Sequence, residues 1–331
     1  MKTRYNCRNQ YCYITGEKLS QTETEEHIIP NALGGFLKSN KLVLSRINTG
    51  LFDKLDAELA TRIEVASFFE FKRERGKQPP IKGTTKEGIE YLHDAKNFKM
   101  VSRKPIEVTD EKGKTWLKFP LHQKDEIIKA RLRKSPHLNK EDLEKSIIEI
   151  HLEEIQILDY EHALNIIANS EDSFRCIAKI ATNFAVLNNV DKSLFSNLIS
   201  FIKGEVPLSY VNLGYFYPNQ LLTYNYDTNE ISHILYLRGC QKEKLLYCYI
   251  ELFNLHCFIV ILNYNYWKED FTKSYIWDVK KGQELQKHIS LDVTKETIAS
   301  PFFPYYPDVE KDYAERLSGL FKMLNLKLRK S

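Results

Sequence analysis

The sequence predicts an α+β protein in which a small N-terminal ββα unit precedes a larger mixed α/β region built around an antiparallel sheet. Three patterns support this prediction. Two short β-favouring runs, "HIIP" and "KLVLS", bracket the Gly34-Gly35 turn. Apolar residues then recur every three or four positions over residues 48–72, which predicts an amphipathic helix. Residues 210–279 are dense in Tyr, Phe, Ile and Val, the composition that favours β-strands.

Length and composition predict two domains and a linker region between them. A chain of 331 residues suggests about two domains at roughly 150 residues each. We assign residues 1–75 to the ββα unit, 76–160 to a linker with hairpins and helices, and 161–331 to a C-terminal α+β domain. The first boundary lies in "KRERGKQPPIKGTTK", a basic stretch that Gly and a Pro pair interrupt.

The middle part predicts hairpins followed by helices. Residues 88–119 alternate in polarity around a turn at 111–113, which favours paired strands. Two charged stretches then predict helices, "QKDEIIKARLRKS" and "NKEDLEKSIIEIHLEEI".

The C-terminal part predicts helices, then strands, then a final helix. Residues 161–188 favour a helix that is interrupted or restarted near Ser170. Asp191 is placed to cap a second helix, which Gly204 would end. The predicted strands of one antiparallel sheet are "HILYLRG", "KLLYCYIELFN", "CFIVILNYNY" and "SYIWDV", and an amphipathic helix begins at "DVEKDYAERL".

Composition favours a soluble globular protein of the cytoplasm. The chain is 43% hydrophobic and 28% charged, typical of a chain that can bury a full core. No run of about 18 apolar residues is present, so we expect no membrane partner. The first residues contain no apolar leader, and six scattered cysteines lack the density of a disulfide framework, which favours a reducing compartment.

The positive charge is concentrated in the first part of the sequence. Residues 1–135 carry 27 Lys+Arg and 18 Asp+Glu, a net of +9, whereas the remainder carries a net of −5, giving +4 in all. A basic region suits a partner that bears phosphates. A lysine-rich solvated surface explains the same charge, so charge alone leaves nucleic acid as one of two interpretations.

The candidate chemistry lies in "EEHIIPNALGGFLKSNKLVLSRINTG", residues 25–50. Hydrolysis of a phosphodiester needs a base that titrates near neutrality and hard oxygen ligands for a divalent cation. His27 is the candidate base, and Glu26 lies on the opposite face of the same predicted strand. Asn48, at the start of the helix, would bring an amide oxygen to the same metal. The structural alternatives are a hairpin histidine and an asparagine that only caps the helix.

Three stretches, "EEHIIPNALGG", "KLVLSRIN" and "LFDKLDAEL", resemble the HNH nucleases, which have a ββα-metal fold. The match is to the subgroup with the signature "EHIIPxALGG" and covers under a fifth of the chain. The resemblance implies that His27 and Asn40 are catalytic, that Glu26 and Asn48 bind metal, and that Asp56 has a supporting role. It implies one Mg²⁺ or Mn²⁺ as the cofactor.

The sequence departs from this subgroup at its structural zinc site. The two Cys-x-x-Cys pairs of the subgroup are replaced here by Cys12 with Thr15 and by Leu44 with Ile47. A structural zinc site needs four nitrogen or sulfur ligands, so we expect no zinc. Leu44 and Ile47 are expected to pack apolar surface instead. The structural and catalytic metals are separate sites, so this loss leaves the catalytic prediction in place.

The predicted function is a metal-dependent HNH endonuclease that hydrolyses DNA, with RNA as an alternative substrate. Cleavage of a duplex by a one-metal site would need two copies, hence a homodimer. Family analogy alone suggests a bacterial restriction or antiphage effector. The candidate nucleic-acid-binding residues are Lys38, Lys41, Arg46, Lys72, Arg73 and Arg75.

Two other functions compete with this one. The chain is alternatively a nucleic-acid-binding protein whose HNH fold is catalytically silent. A further alternative is a nuclease held inactive until its C-terminal domain senses a partner or ligand.

Overall fold

The protein is a mixed α+β structure with a six-stranded antiparallel sheet and several helices. The structure, a computed structural model, describes residues 7–63, 70–76, 81–84, 90–94, 99–102, 106–113, 115–119, 124–135, 137–145, 147–149, 170–218, 221–227, 229–299 and 309–328. It forms two compact units. The first comprises Met1–Ala66, Phe71–Lys77 and Tyr160–Ser331, and the second comprises Ser67–Glu70 and Gln78–Asp159. The three-part division made from the sequence stays a prediction.

A short hairpin opens the first unit. Strand β1 (Glu26–His27) pairs antiparallel with β2 (Lys38–Ser39), and His27 lies directly opposite Lys38. The second strand precedes the predicted run "KLVLS", where the chain bends because Leu42, Val43 and Leu44 all turn into the core.

The turn between the strands depends on its glycine pair. Gly34 has φ +82°, a left-handed conformation that side chains other than glycine rarely adopt. A Cβ on Gly35 would lie 1.9 Å from the carbonyl oxygen of Ile29, so the chain crosses itself too closely for any side chain.

A helical segment follows the hairpin without a break. It consists of α1 (Ser45–Ile47), a π-helical turn (Asn48–Phe52) and α2 (Asp53–Arg62). It begins three residues before the predicted start at 48, and the predicted extension to residue 72 was wrong. Residues 64–69 lie outside the described part, and residues 70–72 are not helical, since the Lys72 N–H donates to the Val279 carbonyl at 3.1 Å.

The second unit contains two small sheets. One has three antiparallel strands, namely β3 (Ile81–Thr84), β4 (Glu90–Asp94) and β5 (Lys99–Ser102). The other joins the antiparallel hairpin β6 (Ile106–Thr109) and β7 (Thr115–Phe119) to β8 (Ile147–Glu149), which lies parallel to β7. The helices between β7 and β8 are α3 (Lys124–Lys134) and α4 (Lys140–Glu144). The hairpin around 111–113 is confirmed.

The helix predicted over "NKEDLEKSIIEIHLEEI" was wrong beyond its first turns. Helix α4 ends at Glu144, and the following isoleucines belong to β8. These β-branched residues pair with β7, a partner that lies some thirty residues earlier in the chain. The rest of that stretch lies outside the described residues.

Two helices precede the large sheet. Helix α5 (Glu171–Leu187) begins where the side chain of Ser170 accepts a hydrogen bond from the Ser173 N–H, which confirms a helix start near Ser170. The part predicted over 161–169 lies outside the described residues. Helix α6 (Ser196–Lys203) follows a 3₁₀ turn capped by Asp191 and ends at Gly204, φ +79°, as predicted.

The six-stranded sheet forms the core of the first unit. The remaining elements of the chain are β9 (Asn212–Tyr215), β10 (Leu222–Thr223), β11 (Ser232–Cys240), β12 (Leu245–Leu252), β13 (His256–Asn263), β14 (Phe271–Asp278), β15 (Gln283–Glu284), β16 (Ser290–Leu291), α7 (Lys295–Ala299) and α8 (Val309–Leu328). The strands of the large sheet, in the spatial order β15-β14-β11-β12-β13-β9, are all antiparallel. The four predicted strands all belong to this sheet.

Helix α5 connects the sheet to the N-terminal hairpin. Every residue of β12 is buried, so both faces of this central strand are covered. Helix α5 packs across β11, β12 and β13 and also contacts α2. In this position 14 of the 17 residues of α5 are buried. Among the described helices, none is both long and apolar enough to cross a membrane.

Candidate functional site

Strand β1 sends its two side chains in opposite directions, as strand geometry requires. The side chain of Glu26 is 3% exposed and points into the protein, whereas that of His27 is 12% exposed and lies at the surface of the hairpin. The predicted candidates therefore have two different environments, which we call the inner side and the outer side of β1.

On the inner side, Glu26 forms an ion pair with a lysine from α5. The Nζ atom of Lys179 lies 2.7 Å from Oε1 of Glu26 and 2.5 Å from Oδ1 of Asp56. The Lys179 side chain is fully buried. One ammonium group thus bridges two carboxylates, one from β1 and one from α2.

Helix α5 presents several polar groups to this pair from a single face. Asn183, one turn after Lys179, donates from Nδ2 to Oε1 of Glu26 at 2.9 Å. The Tyr13 hydroxyl donates to Oδ1 of Asn183 at 2.7 Å, and the Cys176 thiol lies 3.4 Å from Oδ1 of Asp56. These contacts tie the hairpin, α2 and α5 together.

The charges of this cluster sustain one another. Burial lowers the pKa of Lys179, but the carboxylates of Asp56 and Glu26 outweigh burial and raise it, so the amine is an ammonium. Burial raises the pKa of Glu26, and the same ammonium opposes that shift. The arrangement is a buried ion-pair cluster with its hydrogen bonds made.

Of the two residues predicted to bind metal, Glu26 does not fit a divalent ion as it lies here. Oε1 of Glu26 already accepts from an ammonium and an amide, and a fixed positive charge beside it repels a second cation. Nδ2 of Asn48 donates to Oγ1 of Thr24 and to the Glu25 carbonyl, at 3.0 and 3.2 Å. Within the described ranges, no group of three or more His, Cys, Asp or Glu side chains is placed to hold a metal.

On the outer side, His27 shares a carboxylate with Lys38. Oε2 of Glu74 lies 2.7 Å from Nε2 of His27, and Oε1 of Glu74 lies 2.5 Å from Nζ of Lys38. Oε2 of Glu25 is a second partner of Lys38, at 2.7 Å. Two donors from paired strands therefore hold two oxygens of one carboxylate.

The protonation states follow from these contacts. Burial lowers the pKa of His27, although Glu74 acts in the opposite direction, so the imidazole is neutral at pH 7. The hydrogen bond from Lys38 lowers the pKa of Glu74, so Glu74 is ionised. An ionised carboxylate only accepts hydrogen bonds, and Nε2 of His27 is therefore assigned the proton.

Glu74 lies on a segment outside the helices and strands, residues 71–76, which we call the strap. The side chain of Asn31 holds the strap, because its Oδ1 accepts from the N–H groups of Glu74 and Arg75 at 3.0 and 3.2 Å. Nδ2 of Asn31 returns a hydrogen bond to the Arg75 carbonyl at 3.2 Å. The strap is anchored at its start by the buried Phe71, whose ring lies 5.6 Å from that of Phe253.

The other predicted site residues differ in their exposure and in their partners. Asn40 is half-buried directly after β2, and in the described part of the chain no hydrogen bond joins it to His27. Lys41 is exposed, and Arg46 pairs with Glu17. Among the predicted nucleic-acid-binding residues, Lys38 contacts Glu74, the partner of His27. Three others, Lys72, Arg73 and Arg75, lie on the strap.

The cysteine positions show how the hairpin region packs. Cys12 is fully buried, and its sulfur accepts the Thr15 N–H at 3.4 Å. Leu44 is buried and Ile47 is half-buried, consistent with the apolar packing expected of them. All six cysteines are buried free thiols.

Sequence reasoning missed Lys179, Asn183 and Glu74. A signal for Lys179 was present, since it is a single charge in the apolar helical run "CIAKIATNFAV", and a buried charge needs partners. Glu74 is the one acid within the basic "KRERGK". Neither signal says which partner the side chain has.

In comparisons with models of known protein families, with curated proteins and with solved structures, none matches this chain. The resemblance to the HNH nucleases therefore stays a prediction that rests on the motif.

Proposed function

We propose that this chain is an endonuclease that hydrolyses phosphodiester bonds, with DNA as the first substrate to test. In this proposal β1, β2 and the helical segment 45–62 form the ββα module of an HNH nuclease. One observation carries it: a neutral imidazole, His27, lies on a hairpin beside the cation of Lys38, and both hold the same anionic group.

The residues have separable roles in the proposed reaction. The proton of the neutral His27 is on Nε2, so Nδ1 can accept a proton from water as general base. Lys38 provides a fixed positive charge for a phosphate oxygen. The Lys179 cluster holds β1 against α2 and α5 and so keeps His27 in place. Mg²⁺ or Mn²⁺, the cofactor that the resemblance implies, is a variable of the experiment.

A specific observation favours a second candidate, the catalytically silent HNH fold that binds nucleic acid. The carboxylate that the family would use for metal is bound here by an ammonium. The cations of the strap and hairpin would still contact phosphates in such a protein.

The wider setting is also part of the proposal. A homodimer would supply two sites for duplex cleavage. The cytoplasm is the proposed compartment, because six free thiols suit a reducing environment. A restriction or antiphage role rests on family analogy alone.

The test is nicking of a supercoiled plasmid in Mg²⁺, Mn²⁺ or EDTA. Variant His27→Ala is compared with His288→Ala, a control at an exposed histidine of the same unit. We expect loss of His27 to lower the rate by about a hundredfold or more, as loss of a general base does, and loss of His288 to leave it unchanged.

The other outcomes separate the two candidates. Nicking that persists in His27→Ala contradicts the proposed role of His27. If the wild-type protein binds DNA on a filter but does not cleave it in Mg²⁺ or in Mn²⁺, the result favours the silent fold. Cleavage that survives EDTA would show that the reaction runs without the implied cation.

A further inference from the structure

We infer that His27 and Lys38 form a subsite for a phosphate group, and that Glu74 fills this subsite as an internal competitor. The inference rests on the proposed function and makes it more specific. It gives the strap a role, namely to close the site until a phosphate-bearing ligand displaces Glu74.

The geometry of the two donors supports a phosphate ligand. His27 and Lys38 are register partners on paired strands, so their side chains leave the hairpin next to each other. Each holds a different oxygen of Glu74, at 2.7 and 2.5 Å. A phosphodiester offers two anionic oxygens to the same pair of donors in a similar way.

Donors and acceptor belong to different segments, which allows them to separate. The donors are on the hairpin, which the buried Lys179 cluster fixes. Glu74 is on the strap, where its backbone is held at Asn31 by a few hydrogen bonds near the surface. Because exposed hydrogen bonds and ion pairs contribute little, the side chain of Glu74 can turn away while the hairpin and the buried start of the strap at Phe71 keep their places.

The charge balance of the closed subsite opposes an anionic ligand. With His27 neutral, the closed subsite has Lys38 against the carboxylates of Glu25 and Glu74, a net charge of −1. This charge repels a phosphodiester, and removal of Glu74 brings it to zero.

Glu25 provides a matched control. It also pairs with Lys38, at 2.7 Å, and its loss changes the net charge by the same amount. The hydrogen-bonding partner of the His27 ring is Glu74 and not Glu25. Variants Glu74→Ala and Glu25→Ala therefore differ in whether the subsite is opened.

The experiment measures binding of two probes to the full-length chain. One is inorganic phosphate, followed through the ¹⁵N resonances of the His27 ring, and the other is a fluorescein-labelled oligothymidylate without a terminal phosphate, followed by anisotropy. We expect Glu74→Ala to bind at least one probe about tenfold more tightly than wild type, and Glu25→Ala to change affinity less than about threefold. Adding Lys38→Met to Glu74→Ala should abolish the gain.

The two probes also identify the source of the phosphate. A gain for the oligothymidylate indicates a nucleic-acid backbone, and a gain for inorganic phosphate alone indicates a small phosphate-bearing ligand. Equal gains for Glu74→Ala and Glu25→Ala would show only general electrostatics and overturn the inference. Weaker binding by Glu74→Ala would also overturn it, since that result means that Glu74 orients His27.

Failure of the inference and failure of the proposed function can be told apart. If Glu74→Ala binds phosphate more tightly but neither wild type nor any variant cleaves DNA, the result supports the subsite and contradicts the nuclease proposal. If wild type cleaves DNA but Glu74→Ala binds phosphate no more tightly than wild type, the result contradicts the subsite and supports the nuclease proposal. Thermal melts and the isosteric Glu74→Gln, expected to gain affinity in the same direction, exclude misfolding as the cause.

Discussion

The two sides of β1 place adjacent residues in opposite physical situations. Glu26 is buried against a lysine 153 residues away, in a cluster whose charges depend on one another. His27 meets a carboxylate 47 residues away, near the surface, on a strap held by a few hydrogen bonds. One strand thus combines a fixed anchor with an exchangeable contact, and the motif alone does not show which residue has which role.

The strongest test of this comparison removes the ammonium of the inner side. Lys179→Met leaves Glu26 and Asp56 facing each other without their cation, since both accept from the same Nζ. We expect the free energy of unfolding in urea to fall by about 3–5 kcal/mol, the range for breaking a buried ion pair. Lys203→Met, at an exposed lysine of the same unit, is the control and should change it little.

A fall below about 1 kcal/mol for Lys179→Met would contradict the buried cluster. The double variant Glu26→Gln/Lys179→Met sharpens the result. If the two residues interact as described, the double variant loses less stability than the two single variants together.

Acid provides a second test, through a buried histidine that joins the hairpin turn to the sheet. Nε2 of His233 lies 2.7 Å from the Leu33 carbonyl, and burial lowers the pKa of His233 to about 4. The unfolded chain, with a pKa near 6.5, binds the proton more readily, so stability is complete above about pH 6.5 and falls toward pH 4. The loss attributable to this residue is about 3 kcal/mol.

Urea unfolding at pH 7 and pH 4.5 measures this effect. His233→Gln should have a smaller difference between the two pH values than wild type, and the exposed His288→Gln should behave like wild type. Some acid sensitivity will persist in His233→Gln, because burial lowers the pKa of His256 to about 3. An unchanged pH dependence in His233→Gln would contradict the assignment.

The smallest expected effect is on the outer side. His27→Ala and Glu74→Ala each remove a near-surface contact, so we expect the free energy of unfolding to change by less than about 1 kcal/mol. The same urea titration measures it. A loss as large as that of Lys179→Met would show that the outer contact is structural, and the contrast between the two sides would fail.

Local patterns predicted those elements whose stability depends on nearby residues. Asp191 and Gly204 mark the limits of a helical segment because a cap and a left-handed glycine act within one turn. The four sheet strands were evident from their aromatic and β-branched composition. The end of the first helix was misplaced: α2 ends at Arg62, and the backbone at Lys72 bonds to Val279, a contact between residues distant in the chain.

At the site, the motif, the hairpin glycines and the opposite directions of Glu26 and His27 could all be predicted from the sequence, since the directions follow from the period of a strand. Their partners, Lys179 and Glu74, could be identified only in the folded chain. Both partners are distant in the chain, and a charged side chain has the same local signature whether solvent or a carboxylate surrounds it. The packing of α5 and of the strap against the hairpin made that choice.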